Sequence, residues 1–239
     1  MPKFKSISTN IINLVEEMAK INTKLVAWEE VMRWCQELAR KIKEAEYRPD
    51  IIIAIARGGY IPARLLCDLL DVNDLVSVQV LHWGKAAEVT TEAHVKYPVN
   101  VDMNGKKALI VDDIADTGES IIVAKKHITE KCKPDDVKVA TMQWISPVCK
   151  IKPDFYVEDV REWVWYQYPW CRLEDTTQFI QKMLSEEGKN KKAWRISEIK
   201  AKFIEWYGID VGDEYYLLAL ESLCSQGLLQ KSGETYIVK

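Results

Sequence analysis

Asp112 and Asp113 directly follow the apolar run Ala108-Leu109-Ile110-Val111, and Asp116-Thr117-Gly118-Glu119-Ser120 comes shortly after. Adjacent carboxylates at the mouth of a buried strand repel each other unless solvent, a cation or hydroxyl donors fill the space between them. A Mg²⁺ ion or a sugar diol would serve. The small hydroxylated residues that follow open a helix, where several backbone N–H groups lack an intrahelical acceptor and the helix dipole favours an anion. Carboxylates for a diol followed by a cup for a phosphate monoester describe a ribose 5-phosphate. Asp-Thr-Gly alone fits an ordinary Asp-capped helix equally well, whereas the whole stretch 108–120 does not. Nor is the stretch a common nucleotide loop, since it lacks the lysine of G-x-x-x-x-G-K-S/T and contains no G-x-G-x-x-G.

Positioning these residues requires strands. The run IIIAIA, 51–56, is too short for a helix of its own and rich in β-branched residues, as in a strand buried on both faces. It ends in Arg57-Gly58-Gly59. Helical period returns over 60–70, LVSVQVLHW at 75–83 reads as a strand, and 84–104 is polar and irregular. A third strand is expected at 108–111, a helix over 119–132 and a fourth strand at 137–145. Val31, Trp34, Leu38 and Ile42 share one face of a covering helix between Trp28 and Tyr47, acidic early and basic late as the dipole prefers. Upstream, Ile11, Ile12, Leu14, Val15 and Met18 suggest a short amphipathic helix. Strands alternating with helices predict a parallel sheet covered on both sides. Ligands of such sheets bind beyond the carboxyl ends of the strands, where Arg57–Gly59 and Asp112–Ser120 both fall.

Composition narrows the class. The 239 residues are 48% apolar and 29% charged with a formal charge of −3, so no global field draws in DNA or an anionic membrane. The six cysteines are scattered without C-x-x-C or other metal-ligand spacing, which reads as buried thiols in a reducing compartment. The N-terminus lacks a signal-peptide core, and no apolar run approaches the roughly 20 residues of a membrane span. A cytoplasmic protein is expected.

VDDIADTGES, 111–120, resembles the phosphoribosyl-diphosphate signature of the type I phosphoribosyltransferases, and the likeness extends from about Trp28 to Trp170. The resemblance implies an α/β fold: a parallel-sheet phosphoribosyltransferase fold with a hood segment. It implies that Asp112 and Asp113 contact the ribose hydroxyls and help hold Mg²⁺, and that Asp116 lies near the purine ring nitrogens as a candidate for proton transfer. Thr117, Gly118, Glu119 and Ser120 become the loop that cradles the 5′-phosphate. Glu119 is a departure from the usual neutral or basic residue, and its side chain is expected to point away. Arg57-Gly58-Gly59 resembles the family's pyrophosphate loop, with Arg57 offering forked donors, the glycines allowing close approach, and a cis peptide implied between Ala56 and Arg57. In the reaction the C1′–pyrophosphate bond stretches toward an oxocarbenium ion, and a base nitrogen attacks from the other face. Residues 84–98 fall where the family keeps a mobile closing loop, with Lys85 and Lys96 as candidate contacts to the diphosphate and His82 nearby. His94 and His127 read as surface residues.

The segment PDFYVEDVREWVWYQYPW, 153–170, resembles the hood of the 6-oxopurine branch, in which an aromatic shortly before Pro-Trp stacks on the base. That register selects Trp165 for stacking and backbone groups of Tyr166 for reading the ring edge; core packing is the competing role for Trp163 and Trp170. Those relatives usually carry a lysine before a proline after the fourth strand, where this chain has Ser146-Pro147. Lys150 or Lys152 substitutes, or the 6-position is read differently. The implied activity is Mg²⁺-dependent purine salvage, converting a 6-oxopurine base and phosphoribosyl diphosphate to the nucleoside monophosphate and pyrophosphate, in a chain that forms a homodimer. The alternatives are transfer to a non-purine base, prompted by Ser146, and a phosphoribosyl-diphosphate-sensing regulator acting through its C-terminal domain. A sensor of the sugar donor has no need of a base-stacking tryptophan.

After Leu184 comes a polar, basic stretch, then two helical patterns and a hairpin turning at Ser232-Gly233, which together resemble a winged helix. From Phe203 to Gln230 there is no lysine or arginine, while Glu205, Asp210, Asp213, Glu214 and Glu221 are all present, so a nucleic-acid partner is not expected. A packing or assembly module is. The expected domains are 1–24, an N-terminal helical extension; 25–184, the phosphoribosyltransferase domain with its hood; and 185–239, winged-helix-like. Deletion of 186–239 is expected to spare turnover.

Overall fold

The computed structural model describes residues 22–82 and 93–239. The helix expected at 11–18, Lys85 and the first part of the 84–98 loop lie outside the described residues, as does the side chain of His82. The chain divides into two compact units, Trp28–Trp163 on one hand and Val164–Lys239 with the described residues before Trp28 on the other. In chain order the first strand, β1 (Thr23–Leu25), belongs to the latter.

The Trp28–Trp163 unit is built on a six-stranded sheet. Its elements are α1 (Trp28–Glu44), β2 (Ile51–Ala56), α2 (Tyr60–Leu70), β3 (Asp74–His82), β4 (Ala93–Tyr97), β5 (Lys107–Ala115), α3 (Glu119–His127) running into a π-helical turn at Ile128–Cys132, β6 (Asp136–Ile145) and β7 (Phe155–Val160). The strand order is β4-β3-β2-β5-β6-β7, with every neighbour parallel except β4, which runs antiparallel to β3. All six residues of β2 are buried, as a strand covered on both faces requires. Alternation then builds two cores. Ile52, Ala54, Leu109, Val111 and Ala140 pack on Leu38, Ile42, Ala63 and Leu66 of α1 and α2. Ile51, Ile53, Ile55, Ala108, Ile110 and Val139 pack on Ile121 and Ala124 of α3 and on Ile128. Each buried Ile, Leu or Val among them contributes roughly 1.5–3 kcal/mol by leaving water.

Two strands differ from expectation. β5 continues through Ala115, because β6 carries its ladder on with Asp112 opposite Thr141 and Ala115 opposite Trp144. Asp112 and Asp113 therefore lie within the strand and not beyond it. β4 occupies part of the stretch read as irregular, where Ala93 and Val95 turn onto the α3-side core while His94 between them and Lys96 after them are polar.

The second unit pairs β8 (Trp165–Gln167) in parallel with β1, placing Thr23 opposite Trp165 and Lys24 opposite Tyr166. It continues through α4 (Arg172–Glu187), β9 (Ala193–Arg195), α5 (Ile196–Tyr207), α6 (Asp213–Ser225), β10 (Leu229–Ser232) and β11 (Thr235–Val238), these three strands forming an antiparallel sheet in the order β10-β11-β9. Phe179, Ile180, Met183 and Leu184 of α4 share one core with Trp194, Phe203, Tyr207, Tyr216, Leu220 and Leu223. Within it Phe179 stacks on Tyr207 at 4.3 Å, and the Tyr207 hydroxyl donates to the Phe179 carbonyl at 2.9 Å. A domain boundary at 184/185 would cut through this core. The polar sequence after Leu184 resembles a linker, but α4 runs on to Glu187 and its apolar face is completed only by the residues that follow. Residues 22–24 likewise precede Trp28 on the side of this unit. Among the described residues no helix is long and apolar enough to cross a membrane.

Candidate active site

The turn after β2 carries Arg57, Gly58 and Gly59. The Ala56–Arg57 peptide is cis, as the resemblance implies. Gly59 precedes the first residue of α2, and its N–H donates to the Ile55 carbonyl at 2.9 Å. A β-carbon on Gly59 would lie 2.4 Å from the Val111 carbonyl oxygen, and one on Gly58 would lie 2.2 Å from Asp113 Oδ2. The loop backbone is thus laid directly on the end of β5, with the Asp113 carboxylate beneath Gly58. Arg57 is exposed at the same edge.

Asp112 and Asp113 are successive residues of β5 whose carboxyls lie close enough to interact with each other. Asp113 N–H donates to Asp112 Oδ1 at 3.0 Å, and Ile114 N–H donates to Asp113 Oδ1 at 2.8 Å. Asp113 is half-buried; Asp112 is only 9% exposed. Burial pushes the Asp112 carboxyl well above its usual 3.8, and the neighbouring Asp113 charge adds to the rise. The repulsion expected between the two acids is therefore relieved in this structure by keeping one of them buried and reluctant to ionise.

Asp116 closes the turn that follows. Its Oδ1 accepts from the Thr117 N–H at 2.5 Å and from Thr117 Oγ1 at 3.4 Å. Gly118 takes the left-handed conformation at φ +79°, and a β-carbon there would meet Ile151 Cγ2 at 2.7 Å and Cys149 Sγ at 2.8 Å. α3 begins at Glu119, whose N–H is 3.5 Å from Thr117 Oγ1, and Ser120 sits half-buried in the first turn. The first-turn amides of α3 thus face the same edge of the sheet as Arg57, an arrangement suited to a phosphate group. The Glu119 carboxylate is held by Lys150 Nζ at 2.5 Å, and the Lys150 N–H donates to the Thr117 carbonyl at 2.9 Å. Nothing in the spacing of the sequence announced this support of the 116–119 turn by 149–151.

Ser146, where the resemblance leads to a lysine, has a buried hydroxyl with no hydrogen-bond partner among the described residues. Of its proposed substitutes, Lys150 is engaged with Glu119, and Lys152 Nζ lies 5.4 Å from the Trp144 ring and 5.5 Å from the Tyr156 ring. Lys96 sits in β4 with Nζ 5.0 Å from the Tyr97 ring. His127 is hydrogen-bonded through Nε2 to the Val99 carbonyl at 3.0 Å.

Trp165 and Tyr166 stand in the second unit. The Trp165 indole meets Phe179 edge-on at 5.6 Å, and its Nε1 donates to Asp175 Oδ2 at 3.0 Å. Asp175 is buried, which raises its carboxyl pKa, while the bonds from Trp165 and Cys171 oppose the rise. Tyr166 packs at 6.1 Å on Tyr168, which stacks on Trp170 at 4.8 Å. Among the described residues no group of three or more His, Cys, Asp or Glu side chains forms a metal cage.

Residues 22–170 match the family described as phosphoribosyl transferase domain. A xanthine-guanine phosphoribosyltransferase of Idiomarina loihiensis is 28% identical over 151 residues, covering 61% of this chain and 84% of the relative. Among solved structures, a purine phosphoribosyltransferase from Pyrococcus horikoshii is 29% identical with a TM-score of 0.53, covering 62% of this chain and 93% of that one. A Neisseria gonorrhoeae protein with bound ppGpp is 27% identical with a TM-score of 0.54, over 63% of this chain and 89% of that one. With the signature turn, the glycine loop and the sheet that joins them all in place, the chain belongs to the phosphoribosyl transferase domain family.

Proposed function

We propose that the protein is a purine salvage phosphoribosyltransferase, transferring the phosphoribosyl group from phosphoribosyl diphosphate to a 6-oxopurine base with release of pyrophosphate. The observation that carries this reading is the contact of Gly58 with Asp113, which puts a diphosphate-type loop and a diol-type carboxylate at one edge. The xanthine-guanine and purine phosphoribosyltransferases among its relatives support a purine acceptor.

In this reading Arg57 and the amides of Gly58 and Gly59 take the diphosphate, Asp113 and Asp112 take the ribose hydroxyls, and Thr117, Gly118, Ser120 and the backbone N–H of Glu119, but not its carboxylate, hold the 5′-phosphate at the turn and the α3 N-terminus. Arg57 stabilises the charge that develops on the leaving diphosphate. Asp116, anchored through one oxygen by Thr117, is placed to accept a proton from the base. Asp113 and Asp112 are hard oxygen donors and would hold Mg²⁺, which would supply charge neutralisation to the departing diphosphate. Trp165 stacks on the base, and the Tyr166 backbone reads its edge.

For the C-terminal residues we propose a winged-helix-like module serving packing or assembly. The supporting features are the strand order β10-β11-β9 around α5 and α6, and the absence of lysine and arginine from Phe203 to Gln230. The enzyme is proposed to act in the cytoplasm as a homodimer. Titration calorimetry with phosphoribosyl diphosphate and Mg²⁺ tests the site: the reading expects binding that weakens at least tenfold in Asp113→Asn, and equal affinity of the two proteins would remove Asp113 from it.

A further inference from the structure

Glu119 places a carboxylate on the first residue of α3, where the helix amides would otherwise favour an anion without competition. Its charge is met by Lys150 at 2.5 Å, from the turn after β6. The same turn is fastened to the signature loop in three further ways. The Lys150 N–H donates to the Thr117 carbonyl, and Ile151 and Cys149 fill the space that a side chain on Gly118 would occupy. The Cys149 thiol is in turn bonded to the Ile151 carbonyl at 3.0 Å, so the turn is itself fixed.

We infer that Lys150 is a positioning residue of the phosphate cup: it holds the Glu119 carboxylate to itself and leaves a net neutral pair, in place of a bare anion, beside the incoming 5′-phosphate. The inference rests on the phosphoribosyl-diphosphate reading of this loop. The Lys150 side chain is 56% exposed, so the pair adds little to stability and its loss leaves the fold intact. Its effect is electrostatic and local. An unpaired Glu119 would repel the dianionic phosphate and take up the helix-end amides that the donor needs. Arg at 150 can make the same pair. Neutral side chains cannot.

The test is steady-state kinetics and donor calorimetry on full-length wild type, Lys150→Ala, Lys150→Arg and the double variant Lys150→Ala/Glu119→Gln. Lys150→Ala is expected to raise the KM for phosphoribosyl diphosphate about tenfold with kcat within twofold and an unshifted melting temperature. Lys150→Arg and the double variant are both expected to return most of that loss. A donor KM in Lys150→Ala equal to wild type overturns the inference, and so does a rise that Glu119→Gln fails to relieve, since the charge of Glu119 is then not the cause. Wild type that binds no phosphoribosyl diphosphate overturns the reading of the loop itself, a result distinct from either.

Discussion

Gly58 lies so close over Asp113 that a single methyl group on it would sit 2.2 Å from the Asp113 carboxylate. A loop and a strand end 55 residues apart in sequence are thereby fitted backbone to carboxylate, and no side chain can be inserted between them. Gly58→Ala must displace the carboxylate or lift the loop. We expect donor affinity to fall at least tenfold with the melting temperature nearly unchanged, as read by calorimetry and thermal unfolding.

Gly59→Ala should behave differently. Its β-carbon would meet backbone atoms of Val111 and Ile55, which cannot rotate away as a side chain can. Overpacking of this kind costs about 1–3 kcal/mol. The expected outcome is a lowered urea midpoint together with the loss of donor binding, and an unchanged midpoint would show that the strand ends yield more easily than their geometry implies.

Asp112 makes a prediction about pH. Its folded pKa is raised by burial and by Asp113, so the folded protein binds more protons at this site than the unfolded chain does. The sign follows: stability at this site is fully present below the ordinary value of 3.8 and is lost as pH rises through the raised folded value. Asp112→Asn should therefore stabilise the ligand-free protein at neutral pH, with the gain vanishing in acid. It should also impair donor binding. A melting temperature lowered at pH 7 would contradict this account.

Trp165 has two attachments to test separately. Trp165→Ala should raise the base KM roughly tenfold or more through lost stacking. It should also lower stability by about 3 kcal/mol, because the indole packs on Phe179 and donates to Asp175. Trp165→Phe retains an aromatic face but abandons Asp175, so a near-native base KM with reduced stability is expected. Equal base KM in all three proteins would move the stacking role elsewhere.

Deletion of 186–239 is expected to give an aggregating or insoluble product. It removes Phe203, Tyr207 and Tyr216 from the core that Phe179, Met183 and Leu184 complete. A soluble, fully active truncation would mean that α4 finds another cover.

Much of the catalytic half was legible because its signals are local. β2 announced itself by an unbroken apolar run, and the signature turn by carboxylates and hydroxyls at fixed spacing. Less legible was whatever depends on a partner distant in sequence. The last residues of β5 are strand because β6 continues beside them, which four apolar residues could not reveal. β4 alternates too briefly among polar neighbours to stand out. The polar composition after Leu184 concealed a helix whose apolar face is shared with the C-terminal residues. Glu119 was visible as a departure, but not the Lys150 that answers it, since that pairing comes from how the turn after β6 folds onto the α3 N-terminus.

The decisive measurement is pyrophosphate release from phosphoribosyl diphosphate and Mg²⁺ with single bases: hypoxanthine, guanine, xanthine, adenine, uracil and orotate. Release is expected with at least one of the three 6-oxopurines and none without a base, and it is abolished in Asp113→Asn. Donor binding without release for any base would contradict it and favour a sensor of the sugar donor, while release with only a pyrimidine or adenine would contradict the reading of the acceptor.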